Sequence, residues 1–209
     1  MKNYLQLVAV LSMVMSAHAY RASANFNSLL KVDPATGKNK ITQLEEKKVL
    51  RVKIAPSSKN KKALIDSKTE YLEGVCDWEA NKLDSEEMLI IDKLRIGYDT
   101  SADAGKEGAL TYKKAAPASV RNAIFVVNQK DKELFRAPLS TLINQFTPTN
   151  LAEDVVSLDI PIVLVDAGNF DFTIIYPEGA AAAVGVGNEN EYLEIVAQGY
   201  KMTRSSSQN

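Results

Sequence analysis

The chain has little of the chemical equipment that most enzymes and disulfide-bonded proteins use. Its 209 residues include one cysteine and one histidine. A single cysteine excludes an internal disulfide and a zinc site built from cysteines. A single histidine argues against a histidine-rich metal centre and a Ser-His-Asp triad. The His-Glu-x-x-His, Gly-x-Ser-x-Gly and Walker lysine motifs do not occur in the sequence either. We therefore expect a protein that is not an enzyme and needs no cofactor.

The nearly neutral total charge conceals two regions of opposite sign. The formal net charge of the whole chain is −1. Residues 1–68 hold 13 Lys and Arg against four Asp and Glu, a net +9, whereas residues 69–209 hold 12 against 22, a net −10. This asymmetry indicates two parts with different surroundings. The basic part is either a solvated segment without a partner or an arm that meets phosphate, from nucleic acid or from lipid headgroups.

Nine basic residues are the candidates for contact with phosphate. They are Lys38, Lys40, Lys47, Lys48, Arg51, Lys53, Lys59, Lys61 and Lys62. No aromatic residue interrupts the sequence between Lys38 and Lys68, so stacking on bases is unsupported. Any contact with nucleic acid would be a neutralisation of phosphates that does not depend on sequence.

The first twenty residues allow two interpretations. A basic start, an apolar run over residues 4–15 and the Ala17-x-Ala19 pattern fit a secretory signal peptide that covers residues 1–19. The run is short for a membrane span. If the segment is retained, it is an apolar helix that must bury itself in a neighbour, a shell or a membrane surface. His18 lies in this segment, and we expect no catalytic role for it.

Short strands and turns dominate the rest of the chain. Strand patterns cover residues 49–54, 88–96, 123–128, 133–136, 155–165, 170–176 and 191–203. The polar residues 129–132 predict a hairpin, and Pro161 predicts an edge strand or a bulge. Cys76 and Trp78 are expected in the core. This pattern predicts a mainly β protein, a β-sandwich or jelly roll.

One short helix is predicted after Pro138, because proline suits the first turn of a helix. Four apolar residues follow at helical spacing, and they are Leu139, Leu142, Ile143 and Phe146.

Two further patterns are weak candidates for ligand sites. Gly185-Val186-Gly187 lies in a Gly- and Ala-rich loop over residues 178–190 and lacks the third glycine and the following helix of a phosphate-binding loop. Asp166, Asn169 and Asp171 could offer oxygen ligands to Ca²⁺ around a turn. The spacing is not that of an EF-hand, and an ordinary hairpin turn is the favoured interpretation.

Residues 88–203 resemble the jelly-roll capsid proteins of tailless icosahedral bacteriophages with an internal membrane, the corticovirus- and tectivirus-like group. Residues 88–98 resemble an early strand of that fold, and residues 192–204 resemble its closing strand. Residues 123–144, with Leu134-Phe135-Arg136, resemble its passage from strand through hairpin to short helix. Major capsid proteins of that group usually carry two jelly rolls, whereas this chain has room for one.

The resemblance implies a single jelly-roll β-sandwich over residues 69–209, preceded by an extended arm over residues 1–68 that is apolar and then basic. The expected function is that of a viral structural protein: a coat, vertex or minor shell subunit of a virion that assembles with copies of itself and with other capsid subunits. The arm would face genome or membrane. The alternative is a secreted or periplasmic β-sandwich binding module with a cleaved signal peptide at residues 1–19.

Overall fold

Two antiparallel sheets of four strands each form the body of the described structure. The computed structural model describes residues 2–32, 34, 40–54, 60–143, 155–178 and 189–205, with side chains from residue 10 onward. The first sheet has the order β1-β8-β3-β6 and the second the order β2-β7-β4-β5. The strands are β1 (Ile41–Ile54), β2 (Lys61–Ala63), β3 (Met88–Ser101), β4 (Ile124–Gln129), β5 (Lys132–Pro138), β6 (Val156–Val165), β7 (Phe170–Ile175) and β8 (Asn190–Arg204). The prediction of a mainly β protein is confirmed.

One hydrophobic core joins the facing surfaces of the two sheets. Along β7, Phe170, Phe172 and Ile174 are buried while the residues between them are half-buried, which is the period of two that a strand with one covered face requires. Trp78 packs edge-on against the first two of these rings, with centroid distances of 5.4 and 5.3 Å. Cys76 is also buried in this core. The predicted core positions of Cys76 and Trp78 are therefore confirmed.

The central strands of the first sheet are covered on both faces. On β8, the residues that face the core alternate with buried residues that face outward. All residues from 191 to 197 are therefore buried. Part of the outer cover is the connection between β3 and β4. There the Asp99 carboxylate accepts hydrogen bonds from the backbone N–H groups of Thr111 and Tyr112, at 3.0 and 2.9 Å. These bonds hold Tyr112 directly over Gly97 of β3.

Two N-terminal helices cover the outer face of the first sheet near the start of β3, away from Gly97 and Tyr112. Helix α1 (Lys2–His18) passes through a short 3₁₀ turn (Ala19–Arg21) into helix α2 (Ala24–Leu30). A second apolar cluster lies between the helices and the sheet, and its buried members are Leu11, Met15, Phe26, Met88, Ile90, Val163, Val165 and Met202. The apolar N-terminal segment therefore buries part of its surface on its own chain.

The turns follow the sequence patterns closely. β4 and β5 form the predicted hairpin, and Lys130 and Asp131 between them have φ of 52° and 59°, as a type I′ turn requires. β6 is an edge strand as predicted from Pro161. Its pairing with β3 slips there, because Ile91 pairs with Ile162 whereas Lys93 pairs with Ser157.

The helix predicted after Pro138 is a 3₁₀ turn over Leu139–Thr141, with Leu139, Leu142 and Ile143 buried. Helix α3 (Ala118–Arg121) was not predicted. Phe146 and most of the predicted loop over residues 178–190, including Gly185-Val186-Gly187, lie outside the described residues.

The expected extended arm over residues 1–68 is not separate from the body, so the boundary at residue 68 needs correction. β1 pairs with β8 along its whole length, from Ile41 opposite Arg204 to Ile54 opposite Glu191. β2 pairs with β7 in the other sheet. The predicted strand at 49–54 therefore begins eight residues earlier, and the basic region supplies one strand to each sheet. Its charged residues tolerate this position because an edge strand leaves one side open to water.

We predict that Gly97→Ala destabilises the protein by about 1–3 kcal/mol, because overfilling a packed site forces its neighbours to move. A Cβ at residue 97 would lie 2.7 Å from the Tyr112 carbonyl oxygen and 2.8 Å from its Cβ. Gly108→Ala is the matched control, since its Cβ would first meet only a Val75 methyl group at 3.3 Å. Urea unfolding measures both free energies, and equal losses in the two variants would contradict the packing of Tyr112 on β3.

Candidate functional site

The nine candidate basic residues do not form one continuous surface. Lys38 and Lys59 lie outside the described residues. Lys48 and Arg51 are half-buried and engaged within the chain, as shown below. Five remain with described positions: Lys40, Lys47, Lys53, Lys61 and Lys62. These five residues are near one another along the chain, but the fold distributes them over different parts of the body.

Lys48 is held by contacts within its own chain. Its Nζ donates a hydrogen bond to the Asp77 carbonyl oxygen at 2.9 Å and lies 5.2 Å from the centroid of the Trp78 ring. It also lies 3.7 Å from a carboxylate oxygen of Glu46. With three partners in place, Lys48 is a poor candidate for contact with an external phosphate.

Arg51 belongs to a buried ionic cluster on the outer face of the first sheet. Its Nε and Nη2 lie 2.8 and 2.7 Å from Oε2 of Glu194 on β8. Arg95 on β3 pairs with the other oxygen of the same carboxylate. The Arg51 guanidinium also donates to the Gly74 carbonyl oxygen at 2.6 Å and stacks on the Tyr112 ring at 5.4 Å. One buried carboxylate thus joins three neighbouring strands.

Sequence reasoning missed this cluster, although a signal for it exists. Glu194 is a single carboxylate between the core residues Leu193 and Ile195. A charge at such a position is rarely buried without a partner, so its presence inside a strand pattern predicts a cation on an adjacent strand. Which cation that is depends on strand order, which the sequence did not reveal.

Three of the remaining lysines lie at one end of the body, which we call the lysine end. Lys53 stands next to the last residue of β1, and Lys61 and Lys62 open β2, so the short connection places all three at the same end. Lys53 and Lys61 are exposed, and Lys62 is half-buried. The lysine end is the part of the candidate site that the fold does bring together.

Carboxylates at the lysine end are engaged by the protein. Glu191, at the start of β8, accepts a hydrogen bond from the Tyr98 hydroxyl at 2.6 Å, and burial raises the pKa of this carboxyl group. Glu189 accepts a hydrogen bond from the Thr100 hydroxyl. Burial opposes the charge of Asp99, but hydrogen bonds from the Thr100 and Tyr112 amides outweigh it and lower its pKa. These three carboxylates are therefore held by protein donors, whereas Glu178, three residues beyond the Ile175 that pairs with Lys61, is exposed at the same end.

The other two exposed lysines lie elsewhere. Lys40 precedes β1 at the opposite end of the body, where its amide donates to the Leu29 carbonyl oxygen at 3.1 Å. Lys47 lines a polar cleft of about 270 Å³ on the outer face of the first sheet, beside Glu45 and Asp92. In that cleft burial raises the pKa of Asp92, and Glu45 adds to the effect. The mixed charges there do not form a basic surface.

Two of the three proposed calcium ligands, Asp166 and Asp171, are engaged by protein donors. The Asp166 carboxylate accepts from the amide and hydroxyl of Ser23 and from the amide of Glu86, at 2.5–2.8 Å. Asp171 accepts from the Asn128 side chain at 2.9 Å. Among the described residues, no group of three or more His, Cys, Asp and Glu side chains could hold a metal ion. The favoured interpretation as a hairpin turn is nevertheless wrong, because the turn joins β6 to β7 and these two strands lie in different sheets.

Comparison with protein families, with curated proteins and with solved structures gave no match. Within the described part of the chain, no helix has the length and apolar character to cross a membrane.

We predict that Glu194→Gln lowers the free energy of unfolding by about 3 kcal/mol, because it leaves two partly buried guanidinium groups without their carboxylate. Glu133→Gln is the matched control. Glu133 pairs with Arg136 at 3.1 Å, but both side chains are 47 % exposed, so its loss should cost less than about 0.5 kcal/mol. Guanidinium chloride would screen the ion pairs, so urea is the denaturant of choice. A Glu194 variant as stable as the Glu133 variant would show that the cluster does not hold the first sheet together.

Proposed function

We propose that the two sheets form a single jelly roll. The ladders that carry this proposal join β1 with β8, β2 with β7, β3 with β6, and β4 with β5. The strand numbers of each pair add up to nine, which is the pattern of one long antiparallel hairpin folded over as a ribbon. Rolling the ribbon brings β8 against β3 and β7 against β4, and these are the two remaining pairings. Such rolling is how a two-sheet jelly roll limits its exposed edges.

From this topology we infer that the protein is a capsid subunit, a coat, vertex or minor shell component of a virion, without enzymatic activity. Jelly rolls occur in viral shells, and also in lectins and cupins, so the fold alone does not decide the function. The sequence resemblance to jelly-roll phage coat proteins favours the shell. The exposed lysines at one end of the body favour a subunit with a side that faces phosphate. Its partners are copies of itself and other capsid subunits.

Within this proposal, the lysine end meets phosphate groups of the genome or of lipid without sequence specificity. Exposed lysine ammonium groups act as point charges on phosphate and release counterions when they bind. The other candidate basic residues contribute less, because Lys48 and Arg51 are held inside the chain. The phosphate-facing part is therefore smaller than the basic region of the sequence.

A secreted or periplasmic binding module is the second candidate, and one observation favours it. The polar contacts that fasten the N-terminal segment to the body include those of Arg21 and Ser23, which lie two and four residues after Ala19. Cleavage after Ala19 would leave these contacts in place. The intact mass of native material distinguishes the candidates, because a chain that starts at Tyr20 lacks the retained apolar segment that the shell proposal includes.

We predict that the purified full chain associates into trimers, closed rings or particles, since a shell subunit must make repeated contacts with its own copies. Analytical ultracentrifugation over a hundredfold range of concentration measures the association, and negative-stain electron microscopy shows whether the assemblies close. A chain that stays monomeric at the highest concentration would contradict the capsid proposal and favour the binding module.

We predict that the triple variant Lys53→Gln, Lys61→Gln, Lys62→Gln weakens binding to a 20-base-pair DNA duplex and lowers the slope of log affinity against log salt by about two to three, near 0.9 for each lost phosphate contact. Substitution is the suitable test, because deletion of residues 1–68 would remove β1 and β2.

The matched control removes three lysines away from the lysine end, Lys82→Gln, Lys93→Gln and Lys132→Gln, and should change the slope by less than one. Anionic vesicles in place of DNA show whether lipid phosphate is bound in the same way. Equal slopes in the two triple variants would rule out the lysine end as the phosphate-facing surface.

A further inference from the structure

A buried arginine that has no carboxylate partner among the described residues joins the N-terminal helices to the body. Arg21, in the 3₁₀ turn between α1 and α2, is only 7 % exposed. Its Nη2 donates to Oε1 of Gln129 at 2.9 Å, and its Nη1 lies 3.1 Å from Nδ1 of His18. A guanidinium can only donate, so Nδ1 of His18 must be the unprotonated acceptor. The contact therefore exists only while the imidazole is neutral.

The charged groups around this turn are mainly cations. Lys130 Nζ donates to the Arg21 carbonyl oxygen at 2.9 Å, and Lys132 Nζ lies 5.6 Å from the centroid of the Tyr20 ring. In the described part of the chain, the carboxylate that contacts this turn is Asp166, which already accepts hydrogen bonds from Ser23 and Glu86. A proton on His18 would therefore remove the acceptor for Arg21 and add a positive charge beside three others. The C-terminal helix dipole of α1 favours that charge but offers no replacement acceptor.

On the sheet side, the arginine site is rigid. Gln129 donates to the carbonyl oxygens of Val165 and Gly168, at 2.7 and 3.0 Å, and accepts from the Val165 amide at 3.1 Å. It cannot easily turn away to meet a displaced guanidinium. On the other side of the turn, Ser23 binds Asp166 and caps α2 by accepting from the Phe26 amide at 3.1 Å. The position of α2 is therefore fixed independently of His18.

Helix α1 has few other described attachments. Among its described side chains, Leu11 and Met15 are buried against the first sheet and Val14 packs beside them, whereas Val10 and Met13 are 56 % and 72 % exposed. Its connection to the well-fastened α2 is the 3₁₀ turn that contains Arg21. The described anchors of α1 are therefore separate from those of α2.

We propose that His18 and Arg21 form an acid-sensitive latch: protonation of His18 releases α1 from the first sheet and uncovers the apolar surface that Leu11 and Met15 cover. This device is independent of the proposed capsid function and acts in any retained full chain. Burial, and then the neighbouring Arg21, lower the pKa of His18 below its ordinary value. The docked state binds the proton more weakly than the released state. Helix α1 is therefore held on the sheet at pH values above the ordinary histidine pKa of about 6.5, and its docking weakens as the pH falls below that value. The docking constant drops up to tenfold for each pH unit between the two pKa values.

Thiol labelling of the full-length chain tests the latch. In a Cys76→Ala background, Met15→Cys places a reporter at a position that is 1 % exposed, and Met13→Cys places a matched reporter on the exposed side of the same helix. Val126→Cys, in a buried position of the second sheet, reports general unfolding. A disulfide reagent that reacts at acid pH measures the protection of each thiol relative to an unstructured peptide at pH 7.5 and 5.0.

The latch predicts that the protection of the Met15→Cys thiol falls at least threefold between pH 7.5 and 5.0, while the other two thiols change less than twofold. His18→Gln, which keeps an acceptor that does not titrate, should abolish the fall. His18→Lys should remove the protection at both pH values. An equal fall in the Val126→Cys variant, or a fall that persists in His18→Gln, would overturn the proposal.

Discussion

The ionic cluster around Glu194 is the constraint on which the first sheet depends. A carboxylate taken out of water needs strong partners to remain charged. Here they come from both neighbouring strands, Arg51 on β1 and Arg95 on β3. The cluster therefore fixes the order and register of three strands at once. Because Arg51 also bonds to Gly74 and stacks on Tyr112, the same carboxylate organises the loops that cover the outer face of this sheet.

The cluster also changes the meaning of the charge asymmetry in the sequence. The basic region does not stand apart from the acidic body, because β1 lies along the whole of β8. Part of its positive charge is engaged inside the fold, because Glu194 pairs with Arg51 and the Asp77 carbonyl oxygen and the Trp78 ring hold Lys48. What is left for a partner is a smaller set of exposed lysines at one end. A charge count along a chain therefore gives an upper limit to the charge that a folded surface presents.

The parts of the fold that depend on local sequence were predictable. The turn at residues 129–132, the edge position of the strand with Pro161, and the burial of Cys76 and Trp78 all follow from short patterns whose physical causes are local. The first half of β1 was not predictable in this way. Its sequence mixes Glu and Lys and becomes a strand only because β8, about 150 residues later, supplies the hydrogen bonds.

The site was predictable only in part for the same reason. Sequence reasoning found the basic residues, but it could not know that Arg51 would meet a distant carboxylate while Lys53 would face water. It also treated residues 1–19 as either cleaved or docked on something else. The second apolar cluster shows instead that the sheet itself offers a matching surface, which no pattern within the segment reveals.

The pairing of the first strand with the last has a consequence for how the chain acquires its structure. β1 finds its hydrogen-bond partners only when β8, which ends at Arg204, has been synthesised. Until then its edge and one edge of β3 stay open during translation. A topology with such distant contacts folds slowly, and its open edges are exposed to pairing with other chains in the meantime. The charged residues spaced along β1 then have a second use, since charge on an unpaired edge discourages premature association.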